Sequence, residues 1–255
     1  MQVAVDGAPG SGGNARLVLT GEAIERGEGV PEWGARAYAA LKQDLLGPKR
    51  FPCTFGVDGM RKDYLRYFFV EEDTERGLEL LGAALLEYLD VYRTIHRNTS
   101  LLAMFPPVER DVTVEEWEAK FWAVLQWLHE HDPSPWPDAV PRDPHDPRWE
   151  FCYGGEPIFT NCSTPAHVRR RSRHADVFTI VLQPRWVFEG TGEDTPEGRA
   201  AREIIRRRLG RYDDVPPFPR LGTYGQGDTL EWVQYFLPDG EELPEGRCPL
   251  HISPE

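Results

Sequence analysis

The sequence predicts an α+β fold: one domain in which several helices pack on a mainly antiparallel sheet. Three observations predict it. Helical and strand-like stretches are mixed without the regular strand–helix–strand alternation of a parallel sheet. The pair Gly154-Gly155 joins two apolar runs as a hairpin. No internal repeat or clean linker divides the 255 residues, a length that can bury one sizeable core. The domain is expected to span 15–245, between a Gly/Ala/Ser-rich tail over 1–14 and a C-terminal tail over 246–255.

Residues 31–46 read as the first helix, because Trp33, Ala37, Ala40, Leu41 and Leu45 recur at helical spacing and Gly47-Pro48 stops it. Residues 51–59 (Phe-Pro-Cys-Thr-Phe-Gly-Val-Asp-Gly) follow as a short strand or strand-like entry. The aromatic stretch 64–70 is the clearest early strand. Residues 74–92 form a second helix, with Thr74 as N-cap and Leu78, Leu81, Leu85, Leu86 and Leu89 on its apolar face. A strand over 98–105 ends at Pro106-Pro107. Thr113 and Glu116 make a capping box, each satisfying the other's backbone N–H. The helix it starts runs to about His131 and turns Trp117, Phe121, Val124, Leu125 and Leu128 to the core. The proline-studded 132–147 wraps the surface irregularly, with Trp136 as its anchor. Then come the hairpin pair 149–153 and 157–162 and a buried strand over 177–182. A basic, exposed helix over 195–210 has few apolar positions (Ala200, Ile204, Ile205, Leu209). Residues 230–237 are the last expected strand.

A net charge of −13 argues against a general nucleic-acid surface, since phosphate contacts need a basic face. No apolar stretch nears the roughly 20 residues of a membrane helix. The N-terminus lacks the basic start and apolar run of a signal peptide. Cys53, Cys152, Cys162 and Cys248 show no C-x-x-C spacing, which leaves no zinc-knuckle or redox-dithiol signature and points to reduced thiols in a cytoplasm.

Residues 161–173 stand out. In an acidic chain, His167, Arg169, Arg170, Arg171 and Arg173 crowd behind Pro165. Guanidinium groups suit carboxylate or phosphate oxygens. On a strand Arg169, Arg171 and Arg173 share a face; on a helix Arg169 and Arg173 stack at i,i+4. A solvated patch balancing acidic surroundings is equally consistent. His167 is either a metal ligand or a surface histidine. No H-x-x-x-H or H-E-x-x-H pattern occurs, so any metal would be one brought by a cofactor needing one or two protein ligands. Cys53, behind Phe51-Pro52, is either a thiolate ligand or a small buried hydrophobe. Ser163 and Ser172 lack a nucleophile elbow.

Phe51-Pro52-Cys53, the block Asn161-Cys-Ser-Thr-Pro-Ala-His-Val-Arg-Arg-Arg-Ser-Arg and residues 178–188 resemble the YqcI/YcgG family, over about 51–237. Its members include heme-dependent N-hydroxylases of natural-product pathways, and this chain is more similar to the arginine-hydroxylating branch. The resemblance implies a b-type heme, held non-covalently because no C-x-x-C-H attachment signature is present. It implies His167 as proximal ligand, with Cys53 as the rival. His167 is preferred because it sits within the basic cluster, whereas Cys53 leads into an apolar strand. Arg169, Arg171 and Arg173 would hold the propionates. Phe178, Ile180 and Leu182, with Trp186 or Phe188, would line the porphyrin. Glu150 and Glu156, flanking the hairpin, are the candidates for a substrate guanidinium. The implied reaction hydroxylates a guanidine nitrogen of L-arginine to give Nω-hydroxy-L-arginine with O2 or peroxide. No flavin or nicotinamide motif is present, so electrons come from an external donor such as a separate reductase, or from peroxide; a homodimer is left open. The other readings are N-hydroxylation of another amino acid or amine, and a heme carrier or sensor without turnover.

Overall fold

A computed structural model describes residues 16–189, 195–227, 229–243 and 246–252. The expected tail over 1–14 lies outside them. The described helices are α1 (Gly21–Glu25), α2 (Glu32–Leu46), α3 (Thr54–Arg61), α4 (Glu75–Ile95), α5 (Val114–Glu130) and α6 (Pro196–Tyr212). The strands are β1 (Arg66–Phe69), β2 (Leu101–Met104), β3 (Cys152–Tyr153), β4 (Glu156–Ser163) and β5 (Thr179–Pro184). They form one sheet in the order β1-β2-β5-β4-β3. Only β1 and β2 run parallel; every other pairing is antiparallel. The fold is thus a single α+β domain.

Local chemistry accounts for most element ends. The Thr74, Thr113 and Thr195 hydroxyls cap α4, α5 and α6, each accepting the N–H three residues on. Gly154 and Gly155 take φ of 60° and 75°, the pair of left-handed residues that a two-residue hairpin loop demands. Trp136 is buried and donates its Nε1–H to the Val140 carbonyl at 2.9 Å, anchoring the irregular 132–147 segment.

The sheet has two unlike faces. On one, Leu101, Ala103, Ile180, Leu182, Ile158 and Cys162 share the main core with α4 and α5, through side chains such as Leu85, Tyr88, Phe121 and Leu125. On the other, Leu102 and Met104 pack with Tyr38 and Leu45 of α2 and Met60 of α3. Farther along that second face, toward β4, Phe159, Asn161 and Gln183 meet no such apolar layer. They form one wall of a cavity whose other side is α6.

Three expectations are corrected. Residues 51–59 do not enter a strand: the Cys53 sulfur accepts the Gly56 N–H at 3.3 Å and starts α3. The aromatic and β-branched residues Phe51, Phe55 and Val57 suggested a strand, and a local cap overrides that propensity. Residues 230–237 are not a strand either. They form a 3-10 turn, Glu231–Gln234, with Trp232, Val233, Tyr235 and Phe236 buried, so the run is apolar because it is enclosed rather than because it pairs. The segment 246–252 does not hang free: Cys248 and Leu250 are buried in the main core and the His251 N–H donates to Gln126. Two features carried no sequence signal, α1 and the backbone pairing of Leu19 with Tyr67.

Thr113→Ala should remove one of the two capping-box bonds, Glu116 N–H to the hydroxyl (3.2 Å), and leave the backbone N–H of residue 113 to the Glu116 carboxylate (2.8 Å). The expected loss is about 1 kcal/mol, seen as a lower urea midpoint at unchanged m-value.

Candidate active site

The cavity under α6 encloses about 280 Å³. Phe51, Phe55, Phe159, Phe188 and Phe218 give it aromatic walls, and Ala201, Ile205 and Leu209 of α6 close it at helical spacing. Two polar clusters interrupt this apolar lining.

The first holds Cys53 and Arg173. The Cys53 sulfur sits at the N-terminus of α3, where the helix dipole presents its positive end. Arg173 comes from the 3-10 turn Arg171–Arg173. Its Nη1 reaches Asn161 Oδ1 at 3.4 Å, while its Nε is buried with no hydrogen-bond partner. Burial pushes the guanidinium below its ordinary range; Asp213 and Cys53 pull the other way. Asp213 is itself occupied by the Ser172 N–H (2.7 Å) and hydroxyl (2.8 Å). A buried donor without an acceptor is a costly state that a bound anion relieves.

The second holds Arg185, Glu150, Glu231 and Tyr224. Arg185 grips Glu150 with both arms, Nε to Oε2 at 2.7 Å and Nη2 to Oε1, and Nη2 also lies 3.3 Å from Glu231 Oε1. Its guanidinium stacks 4.0 Å from the centre of the Tyr224 ring. Glu150 lies behind the wall, fully buried; Arg185, Glu231 and Tyr224 face the cavity. Glu231 Oε2 is buried without a hydrogen-bond partner. Burial raises the pKa of Glu150 and of Glu231, opposed by Arg185. Arg185 is held above its ordinary range: burial works against its charge, and Glu150 then Glu231 more than restore it. Two carboxyls thus share one guanidinium, with Arg202 acting on Glu231 from farther away.

The basic block disperses. Arg169 is exposed, and its backbone N–H binds Asp239. Arg170 is buried, its guanidinium held by the carbonyls of Pro238, Gly240 and Pro216. Arg171 points to the Tyr212 carbonyl and Asp214. Only Arg173 of the three expected propionate arginines lines the cavity. His167 is fully buried outside the lining. Its Nε2 lies 2.8 Å from the Leu237 carbonyl and its Nδ1 2.8 Å from the Thr164 hydroxyl. A carbonyl only accepts, so Nε2 is assigned the proton and Nδ1 accepts from Thr164. Burial lowers the His167 pKa to about 4, so the imidazole is neutral, with both nitrogens engaged.

Phe178 stacks on Trp117 at 4.9 Å, and Ile180 and Leu182 are buried beside it on the main-core face, away from the cavity. Trp186 carries the Arg97 guanidinium 4.2 Å over its ring, also outside the lining, whereas Phe188 is within it. On β5 the cavity receives Gln183, of the opposite parity to Ile180 and Leu182, and a one-residue choice of parity exchanges the faces of a strand. Glu156 is paired with Arg93 at 2.8 Å on the outer hairpin. Of the two expected acids Glu150 alone lies at the cavity, behind its wall; sequence reasoning missed Glu231, Arg185 and Tyr224, and it placed the α6 helix without its role as a cavity wall. Glu231 carried a usable signal, an acid inside the apolar run Leu-Glu-Trp-Val-Gln-Tyr-Phe-Leu, which requires a buried partner.

Among the described residues no three His, Cys, Asp or Glu side chains converge as a metal site, and no helix is long and apolar enough to cross a membrane. The sequence profile of the YqcI/YcgG family matches residues 41–251. YqcI of Bacillus subtilis (strain 168), named as uncharacterized, is 39% identical over 230 residues, covering 88% of this chain and 89% of YqcI. YcgG of the same organism, also named as uncharacterized, is 39% identical over 228 residues, 88% of this chain and 90% of YcgG. A Streptomyces lavendulae protein named "Putative N(omega)-hydroxy-L-arginine synthase DcsA" is 37% identical over 247 residues, 94% of this chain and 91% of DcsA. No solved structure matches the chain.

The neutral burial of His167 has a pH signature. The unfolded chain binds a proton on this imidazole below about 6.5, and the folded chain refuses it until about 4. The stability tied to it is therefore complete above 6.5 and falls as pH drops toward 4. His167→Gln should remove about 2 kcal/mol of the stability difference between pH 7 and pH 5, measured by urea unfolding at each pH.

Proposed function

The chain belongs to the YqcI/YcgG family, and on that premise we propose that it hydroxylates a guanidine nitrogen of L-arginine with a non-covalent b-type heme in the cavity under α6. One observation carries the reading. The lining of a single cavity brings together Cys53, Arg173 and Glu231, and Arg173 Nε and Glu231 Oε2 are buried there without a hydrogen-bond partner.

The donor set fits the cofactor. Cys53 would ligate the iron and the Arg173 Nε–H would meet a propionate, while the phenylalanine walls suit the macrocycle. His167 fits poorly, because Nε2 carries a proton directed at Leu237 and Nδ1 accepts from Thr164, which leaves no lone pair for iron. Bound heme supplies the activation of oxygen. Glu231 Oε2 would accept a substrate guanidinium N–H, and the substrate's charge would balance the second carboxyl that Arg185 shares. Arg185 opposes the effect of burial on Glu150 and Glu231 and orients both carboxyls before substrate arrives. The aromatic lining and α6 exclude water from the reacting nitrogen. The name of DcsA supports arginine as the substrate.

Hemin titration should give a Soret band in the wild type and in His167→Gln, and none in Cys53→Ala. With arginine, reductant and O2, product of Nω-hydroxyarginine mass is expected. Glu231→Gln should raise the arginine KM roughly 10- to 100-fold, the loss of one charged hydrogen bond. Heme uptake without product would favour a carrier, and a protein indifferent to hemin would sink the reading.

A further inference from the structure

Helix α6 carries two stripes. Residues Ala201, Ile205 and Leu209 face the cavity. Ile204, Arg207, Arg208 and Arg211, spaced by three and four, face a second hollow of about 390 Å³ that also takes Lys49, Arg50 and Arg171. Six cations therefore converge on one hollow of a chain whose net charge is −13. Arg171 is paired with Asp214 at 3.0 Å, and Arg208 reaches the Phe51 carbonyl at 3.4 Å. Lys49, Arg50, Arg207 and Arg211 are exposed and form no ion pair among the described residues. Like charges at i,i+4, as in Arg207 and Arg211, destabilise a helix, and an acidic partner relieves them.

The hollow and the cavity share a wall. Phe51 lines the cavity and meets edge-on, at 5.4 Å, the ring of Tyr212, which lines the hollow. Arg50 adjoins Phe51, two residues before Cys53.

We propose that this hollow docks an acidic one-electron carrier protein of the iron–sulfur class, which reduces the cofactor across the α6 wall. The inference rests on the heme N-oxygenase reading. Hydroxylating a guanidine N–H with O2 places one oxygen atom in N–OH and the other in water, and consumes two electrons and two protons. Two carrier molecules each give up one electron; solvent supplies the protons. The field at the hollow attracts and orients an acidic protein of similar size. A nucleic acid or an anionic membrane would bring extended negative charge against the remainder of an acidic chain.

The test measures binding of a strongly acidic plant-type [2Fe–2S] ferredoxin to the heme-loaded protein, at low and high salt. Arg207→Glu/Arg211→Glu and, on a different element, Lys49→Glu/Arg50→Glu serve as variants. Binding should be salt-sensitive and weaken roughly tenfold or more in each variant. Ferredoxin-supported hydroxylation should fall in parallel, with turnover on a small-molecule reductant unchanged. No binding at low salt, or equal affinity in the variants, overturns the docking face alone. So does capture of duplex DNA or phosphatidylserine vesicles, lost on charge reversal, in place of ferredoxin. Failure to take up hemin, read on the same samples, overturns the oxygenase reading and the electron-delivery role with it.

Discussion

Strands β4 and β5 are locked in one register, Thr160 opposite Leu182 and Asn161 opposite Val181, and the rest of the molecule depends on it. That ladder sends Ile158, Cys162, Ile180 and Leu182 to the face covered by α4 and α5. It sends Phe159, Asn161 and Gln183 to the other. A slip of one residue would bury Asn161 and Gln183 in the main core and expose Ile180 and Leu182, a cost no local contact could offset. The register is therefore strongly specified, and with it the composition of the cavity wall. The cavity exists because α2 and α3 cover only the β1–β2 half of that second face. Helix α6 shields the other half with a thin apolar stripe instead of filling it.

Buried charge is handled differently at each position, and the differences mark out the site. Arg170 is enclosed among backbone carbonyls, which satisfy its donors without neutralising it, and it joins the 161–173 loop to residues 238–240. Arg185 is compensated twice, by Glu150 and Glu231. Arg173 retains an unpartnered Nε, and Glu231 an unpartnered Oε2. Native structures leave few buried polar atoms unpaired, so an unpartnered donor and an unpartnered acceptor on two residues that line one cavity stand out.

The α4 and α5 helices, their threonine caps and the glycine hairpin were legible, because periodicity, capping and turn chemistry are local and agree with the final packing. Where local and tertiary preferences part, the reading failed. Residues 51–59 look strand-like until the Cys53 sulfur caps a helix. Residues 230–237 look strand-like because everything around them is protein. Of the residues singled out in the sequence, Cys53 and Arg173 line the cavity and Glu150 lies buried behind its wall. Arg185, Glu231 and Tyr224 come from three separate loops that only the tertiary fold brings together. The parity of β5 was a binary choice with apolar residues on both sides, Val181 as well as Ile180 and Leu182.

The 161–173 block draws attention as a charge cluster, yet its geometry disperses charge. A 3-10 turn advances three residues per revolution, so Arg171, Ser172 and Arg173 point in three directions. Arg171 goes to the basic hollow beside α6, Ser172 to Asp213, and Arg173 to the cavity wall. His167 anchors the base of this turn, linking Thr164 to Leu237, while its own carbonyl faces His174 Nδ1. Its burial as a neutral ring is what lets the loop sit between strand and helix without adding a further charge to a region that already holds Arg170 and Arg173. The histidine that a sequence reader would give to a metal is thus the hinge-pin of the loop. The Cys53 sulfur, three residues beyond Arg50, instead belongs to the lining of the cavity.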